Sequence, residues 1–228
     1  MAVDGLCAKG EPVLHPFREW DFGFDFYAQQ TFEDEAGRRL MFVWAGMPDK
    51  PYENPTAALG WENCLTVPRE IVSRGDRLLQ RPAAELAALR TGEEKIAPDG
   101  AAVFPEGAGD IGISFPGTKA AGPWRITFGK GAELSFRDGF LTLSFDEETG
   151  RGRTARRAKA ETVRDLRILV DTSMLEIFVN GGEFTMTSRF YPPYGADPSL
   201  AVGFSLGEAE VTAWRMRTMK CNEAYFGS

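Results

Sequence analysis

From residue 101 onward, apolar residues return at every second position in one short run after another. Ile111, Ile113 and Phe115 alternate with Gly112 and Ser114. Trp124, Ile126 and Phe128 alternate with Arg125 and Thr127, and Val202, Phe204 and Leu206 repeat the pattern. Side chains alternate faces along a strand, so each run has one apolar face and one polar face. Turn residues separate the runs. Asp138-Gly139 precedes Phe140 to Phe145, and Asn180-Gly181-Gly182 joins Met174 to Val179 to residues 183–189. Asp-Gly and Asn-Gly supply the positive φ angles that tight primed turns need. A tight loop at Asn180 puts Leu175 and Ile177 on one face with Phe184 and Met186, so burial pins the register. A last strand is predicted over residues 212–216. Regular short strands with turns between them predict an all-β sandwich or barrel.

The preceding residues read differently. Residues 21–49 contain two strand runs joined by Asp34-Glu35-Ala36-Gly37, with Glu33, Asp34 and Glu35 as a solvated turn. Residues 50–60 carry Pro51, Asn54, Pro55 and Gly60 and predict an irregular loop. A strand bearing Pro68 is predicted over residues 65–72. Arg81-Pro82 then opens an Ala- and Leu-rich run, a short helix with Leu86 and Leu89 on one face. The domain joint is expected there, before Gly100. The expected division is residues 1–80, a linker with a short helix over 81–98, and an all-β unit over 99–228.

Asp25 and Tyr27 are two apart, which on an extended segment places them on one face. Trp44 ends the next run. A carboxylate, a phenol and an indole at strand ends suit a sugar: hydrogen bonds for hydroxyls and a flat apolar wall. His15, the single histidine, precedes Pro16 in an apparent loop and reads as a surface residue. A net charge of −7 argues against a nucleic-acid partner. No apolar run approaches a membrane span, and the first residues lack a signal core. Cys7, Cys64 and Cys221 fit neither a disulfide framework nor zinc spacing, which favours a reducing cytoplasm.

Four blocks carry a resemblance. They are Asp21-Phe22-Gly23-Phe24-Asp25-Phe26-Tyr27-Ala28; Gly37-Arg38-Arg39 through Trp44-Ala45-Gly46-Met47-Pro48-Asp49; Gly60-Trp61 with Cys64 to Glu70; and Leu169 to Asn180 with Thr187-Ser188-Arg189. In this order they resemble glycoside hydrolase family 32, the invertases, fructanases and sucrose-6-phosphate hydrolases, with the last branch most similar. The resemblance implies a five-bladed β-propeller followed by a β-sandwich. This chain would then hold a partial propeller, its last blade, and the C-terminal sandwich. By the same resemblance Asp25, Tyr27 and Trp44 would contact the fructose of a complete enzyme.

The family's catalytic carboxylates lie in Asn-Asp-Pro, Arg-Asp-Pro and Glu-Cys motifs, and this sequence contains none of the three. Arg137-Asp138 runs into Gly139, Arg164-Asp165 into Leu166, and Glu62-Asn63-Cys64 belongs to the Gly-Trp block. A retaining glycosidase needs two carboxyl groups roughly 5 to 5.5 Å apart. No catalytic residue, metal or cofactor is therefore assigned, and the chain alone is expected to be inactive on sucrose. A fructose-containing sugar is the expected ligand once the chain is complemented. A lone blade exposes strand edges, which favours a homo-oligomer or an N-terminal partner chain. The alternatives are a non-catalytic carbohydrate-binding or assembly module built on the sandwich, and an unfamiliar active site around Asp25.

Other motifs are discounted. Gly107 to Gly112 satisfies GxGxxG but opens no helix. Arg151, Arg153, Arg156, Arg157 and Lys159 read as a solvated connection beside Glu147, Glu148 and Glu161. Glu176 has the opposite parity to the apolar face and reads as a sheet-surface carboxylate. Against the family pattern, Gln29 replaces a proline, Val43 a glycine at the expected site wall, and Ala45 a methionine.

Overall fold

A computed structural model describes residues 2–4, 13–15, 18–117, 122–193 and 198–219. Strands β1 (Ala2–Asp4) and β2 (Val13–His15) pair antiparallel. His15 thus falls in a strand and not in a loop. Its side chain lies outside the described residues, as do Cys7 and Cys221.

Next comes a four-stranded meander: β3 (Tyr27–Glu33), β4 (Arg39–Trp44), β5 (Arg69–Arg74) and β6 (Arg77–Pro82), paired in that order. The turn at Asp34 forms as expected, with the Asp34 carboxylate accepting from the backbone N–H of Ala36 and of Arg38. The loop between β4 and β5 contains a 3-10 helix, Pro55–Leu59, closed by Gly60 at φ 87°. Strand β6 has no counterpart in the sequence reading, because Arg77–Pro82 carries no alternation visible beside the Ala-rich run. The helix expected after Arg81 is a 3-10 helix, Ala84–Leu89.

The remaining strands are β7 (Arg90–Ile96), β8 (Ala101–Phe104), β9 (Gly109–Ser114), β10 (Trp124–Phe128), β11 (Ala132–Arg137), β12 (Phe140–Phe145), β13 (Ala155–Lys159), β14 (Asp165–Asp171), β15 (Met174–Val179), β16 (Phe184–Arg189), β17 (Leu200–Ser205) and β18 (Glu210–Met216). A short helix, α1 (Glu147–Gly150), precedes β13. They form two six-stranded sheets, β13-β12-β11-β10-β17-β8 and β16-β15-β14-β9-β18-β7. Their inner faces share one core, with Ile111, Ile126, Leu134, Leu143, Ile168 and Ile177 all fully buried. The chain therefore folds as an all-β sandwich preceded by a four-stranded sheet. Strand β7 corrects the expected linker: Arg90–Ile96 pairs with β18 and is part of the sandwich. As an edge strand it is almost wholly exposed, so its sequence lacks the alternation that marks the inner strands.

Both hairpins read from the sequence form. Asp138 and Gly139 have φ of 51° and 76° between Arg137 and Phe140, which pair directly. In β15–β16, Ile177 faces Met186 and Val179 faces Phe184, so the loop holds four residues, Asn180 to Glu183.

The four-stranded sheet docks on the outer face of the second sheet of the sandwich. Its footprint is legible in burial: every residue of β15 is buried, and all but the first of β16. One parity of β15 faces the sandwich core and the other faces the docked sheet. Residues 21–25 run beside β16, joined by a parallel bridge from Asp21 to Thr185. The N–H of Phe22 donates to the Thr185 carbonyl at 2.8 Å and that of Asp25 to the Thr187 carbonyl at 3.0 Å. The edge of β16 is thereby covered. Gly23 makes this approach possible, since a Cβ there would stand 2.0 Å from the Thr187 carbonyl oxygen.

Gly23→Ala must push the segment off β16. By the usual cost of overpacking we expect a loss of about 2 to 3 kcal/mol in urea unfolding. Ala at Gly112, where φ is not positive and a Cβ meets only the Trp214 ring at 3.5 Å, should change stability by about 1 kcal/mol or less. Equal losses at the two positions would contradict the close approach.

Candidate functional site

The structure divides the three sugar-contact candidates. Tyr27 is 46% exposed at the start of β3, and Trp44 is partly buried at the end of β4. Register places them opposite each other, with ring centroids 6.0 Å apart and planes at 77°. The Trp44 indole lies over Gly46, where a Cβ would come within 2.5 Å of the ring. Its Nε1–H donates to Asn63 Oδ1 at 3.1 Å. Asn63 comes from the loop before β5, which is joined to β4 by the N–H of Ala45 donating to the Cys64 carbonyl at 2.9 Å. Nearby in sequence on the same loop, the Trp61 ring is 41% exposed. Phenol, indole and exposed amide form an open surface that can stack on a sugar and hydrogen-bond its hydroxyls.

Asp25 is not on that surface. It is 0% exposed, and both its oxygens are taken by Arg153, at 2.7 Å from Nε and 2.8 Å from Nη2. The backbone N–H of Arg189 donates to the same carboxylate at 2.8 Å. The parity argument fails because residues 21–25 pair with β16, whereas β3 starts at Tyr27 and pairs with β4. A bulge between Tyr27 and Gln30, with Ala28 at φ 55°, distorts the register further. Asp25 joins the two units and lies apart from the Tyr27–Trp44 surface.

Two further readings change in the same way. Arg153, expected in a solvated connection, is buried; its guanidinium lies 4.4 Å from the Tyr52 ring centroid. Arg156 stays exposed, though its Nε donates to the Gly23 carbonyl at 2.8 Å. Glu176, expected on the sheet surface, is 3% exposed under the docked sheet. Its oxygens accept from Arg69 Nη2 at 2.6 Å and from the Val67 N–H at 2.9 Å. Arg69 also donates to Gln80 Oε1 at 2.7 Å and Thr187 Oγ1 at 2.7 Å, and stands 3.6 Å from Asp21. Burial pushes the Glu176 carboxyl above its ordinary value, against the pull of Arg69 and the Val67 N–H.

Three buried carboxylates, Asp21, Asp25 and Glu176, thus meet the buried guanidiniums of Arg69 and Arg153, while buried Arg189 gives its backbone N–H to Asp25 and its guanidinium to two carbonyls and a hydroxyl. Sequence reasoning missed Asn63 and this whole set. Arg69 and Arg189 stood inside the recognised blocks, but nothing local marks their partners, which lie 107 to 128 residues away for Arg69–Glu176 and Asp25–Arg153.

Val43 is fully buried on the opposite face of β4 from Trp44, so it does not form the site wall. Burial pushes the Cys64 thiol above its ordinary value, which disfavours a thiolate. Among the described residues, no cluster of His, Cys, Asp and Glu could hold a metal ion.

A four-stranded sheet is thus clamped to a β-sandwich, with aromatic residues and an amide exposed at one end of its strands. Residues 4–82 match the glycosyl hydrolases family 32 N-terminal domain, and residues 104–216 the glycosyl hydrolases family 32 C-terminal domain. The chain is 32% identical to the sucrose-6-phosphate hydrolase of Bacillus subtilis (strain 168), over 88% of this chain and 43% of that protein. It is 36% identical to the sucrose-6-phosphate hydrolase of Klebsiella pneumoniae, over 78% of this chain and 37% of that protein. The solved sucrose-6-phosphate hydrolase of Lactobacillus gasseri superposes with a TM-score of 0.74 at 21% identity, over 87% of this chain and 42% of that one. The chain belongs to glycoside hydrolase family 32. It spans about two-fifths of the length of these relatives.

The raised carboxyl of Glu176 gives a test with a definite sign. A carboxyl raised in the folded state contributes stability that is complete below the unfolded value and lost as pH rises through the folded one. Glutamine does not titrate, so the cost of Glu176→Gln should shrink as pH rises above about 4.3. Urea unfolding of both proteins from pH 4 to 8 reads this. A cost that grows with pH would show that the attraction to Arg69 outweighs burial.

Proposed function

We propose that this chain supplies the last propeller blade and the sandwich of a β-fructosidase acting on sucrose, sucrose 6-phosphate or a fructan. The bond-breaking carboxylates would come from polypeptide outside these residues. The observation that carries this reading is the Tyr27–Trp44 pair with Asn63, placed at the rim of a blade in a chain of this family. In this reading Trp44 and Tyr27 hold the fructosyl unit by its ring face and hydroxyls. Asp25 takes no part in binding and keeps the blade in position. No cofactor is required by this chemistry, which needs an acid, a nucleophile and water.

We place the assembled protein's remaining contacts on β3. All seven of its residues are exposed and among the described residues it pairs only with β4, whereas the N–H of Gln80 on β6 is met by the Gly182 carbonyl at 2.9 Å. An N-terminal partner chain or a second copy would complete that edge. Among the described residues no helix is long and apolar enough to cross a membrane. The free Cys64 suits a cytoplasmic location. The alternative, a carbohydrate-binding module on the sandwich, has less support. The indole of Trp214 on its outer sheet is covered by the Arg90 guanidinium at 3.9 Å, which a sugar would have to displace.

Mixing this chain with a family 32 polypeptide bearing Asn-Asp-Pro and Glu-Cys motifs, and assaying fructose release from sucrose 6-phosphate, tests the proposal. Activity should appear with the mixture and fall at least about tenfold with Trp44→Ala, a loss of one hot-spot aromatic. No gain on mixing would reject it.

A further inference from the structure

One residue of the sandwich touches both segments that deliver the sugar-contact side chains. Arg189 ends β16 and is 1% exposed. Its backbone N–H donates to the Asp25 carboxylate at 2.8 Å, two residues before Tyr27. Its Nη1 donates to the Glu62 carbonyl at 2.7 Å, one residue before Asn63. Its Nη2 reaches Thr56 Oγ1 at 3.3 Å in the 3-10 helix of the same loop, and its Nε donates to the Ser173 carbonyl at 3.1 Å. The guanidinium carbon lies 5.4 Å from the Trp61 ring centroid. From Glu62 the chain continues to Asn63, whose side-chain Oδ1 receives the Trp44 indole N–H.

We infer that Arg189 is a positioning residue for the sugar surface: a sandwich side chain sets the pose of the Trp61–Asn63 loop and, through Asn63, of the Trp44 indole. The inference rests on the fructosyl surface proposed above. The physical reason lies in the loop itself. Glu53, Pro55, Ala57 to Asn63 and Leu65 are all exposed, so apolar packing does little to hold this stretch. A planar guanidinium with three separate acceptors on two elements supplies the missing constraint. Lysine would keep the charge and lose the fork. The sandwich thereby acts on binding without touching sugar, and its contribution is confined to the loop end of the site.

The test uses the whole chain with 5-fluorotryptophan in place of its five tryptophans, Trp20, Trp44, Trp61, Trp124 and Trp214. Resonances are assigned by single Trp→Phe variants. Arg189→Lys should shift the Trp44 and Trp61 signals and leave Trp124 and Trp214 in place. In the same variant, fructose affinity by calorimetry should fall at least about fivefold, as expected when a guanidinium holding three acceptors is replaced by an ammonium. Asn63→Ala should move the Trp44 signal while leaving Trp61 unchanged, because it cuts the path beyond the arginine. Arg156→Gln is the control: it removes a different contact between the units, to the Gly23 carbonyl and Glu19, and touches no part of the loop. An unmoved Trp44 signal in Arg189→Lys overturns the inference. So does an equal loss of affinity in Arg156→Gln, since the effect would then be general loosening. If the unaltered chain binds no fructose, the proposed function fails, and the fluorine signals still decide whether Arg189 sets the loop.

Discussion

Six buried charges hold this molecule in one arrangement. Asp21, Asp25 and Glu176 would each carry a large desolvation penalty if left alone, and so would Arg69, Arg153 and Arg189. The penalty is met by ion pairs for Arg69 and Arg153, by carbonyl and hydroxyl acceptors for Arg189, and by hydrogen bonds on nearly every polar atom. Asp25 receives a two-point grip from Arg153 and a third bond from a backbone N–H. Such contacts have narrow geometry. An apolar contact of the same size would tolerate sliding, whereas a guanidinium shared among carboxylate, amide and hydroxyl does not. The blade therefore has one orientation on the sandwich, and everything at its rim inherits that orientation.

The backbone reinforces the charges. Residues 21–25 lie along β16 because Gly23 lets two main chains come together, and Gly182 does the same for β6, where a Cβ would stand 1.9 Å from the Gln80 carbonyl oxygen. Both glycines sit beside members of the charge network, Asp21 and Gln80's partner Arg69. Main-chain and side-chain contacts thus specify the same docking. The sandwich edge at β16 is covered by this arrangement, while β3 at the other edge of the blade pairs only with β4 among the described residues.

The sequence carried the local part of this structure. Alternation in β9, β10 and β17 and the turns at Asp138 and Asn180 are encoded within ten residues of themselves, so they could be read directly. What alternation reports is which parity is apolar; it is silent on what covers the other parity. Glu176, Thr185, Thr187 and Arg189 share the polar parity of β15 and β16 and look like a wet surface. They are buried because a sheet over 100 residues earlier in the chain lies on them. Asp25 misled for a related reason: the chain changes sheets between it and Tyr27, and a two-residue spacing means nothing across such a junction. Arg153 sat among other arginines, and no pattern distinguishes the one that finds a buried carboxylate. The resemblance of the four blocks supplied what the spacing could not, the architecture.

The site and the interface are consequently two sides of the same short segments. Asp25 faces inward and Tyr27 outward; Val43 faces inward and Trp44 toward the rim; Glu62 gives its carbonyl to the sandwich while its neighbour Asn63 gives its amide oxygen to the indole. Adjacent residues therefore carry different duties, and a substitution reports on one or the other. Changing Asp25 removes a partner from Arg153 inside a dry interface, an effect on docking and stability. Changing Tyr27 removes an exposed ring and leaves the docking intact. The Tyr27–Trp44–Asn63 surface carries no charge of its own. Its precision comes from ionic contacts on the reverse side of the strands and loop that carry it, which is where a low dielectric makes such contacts strong and water cannot compete for them.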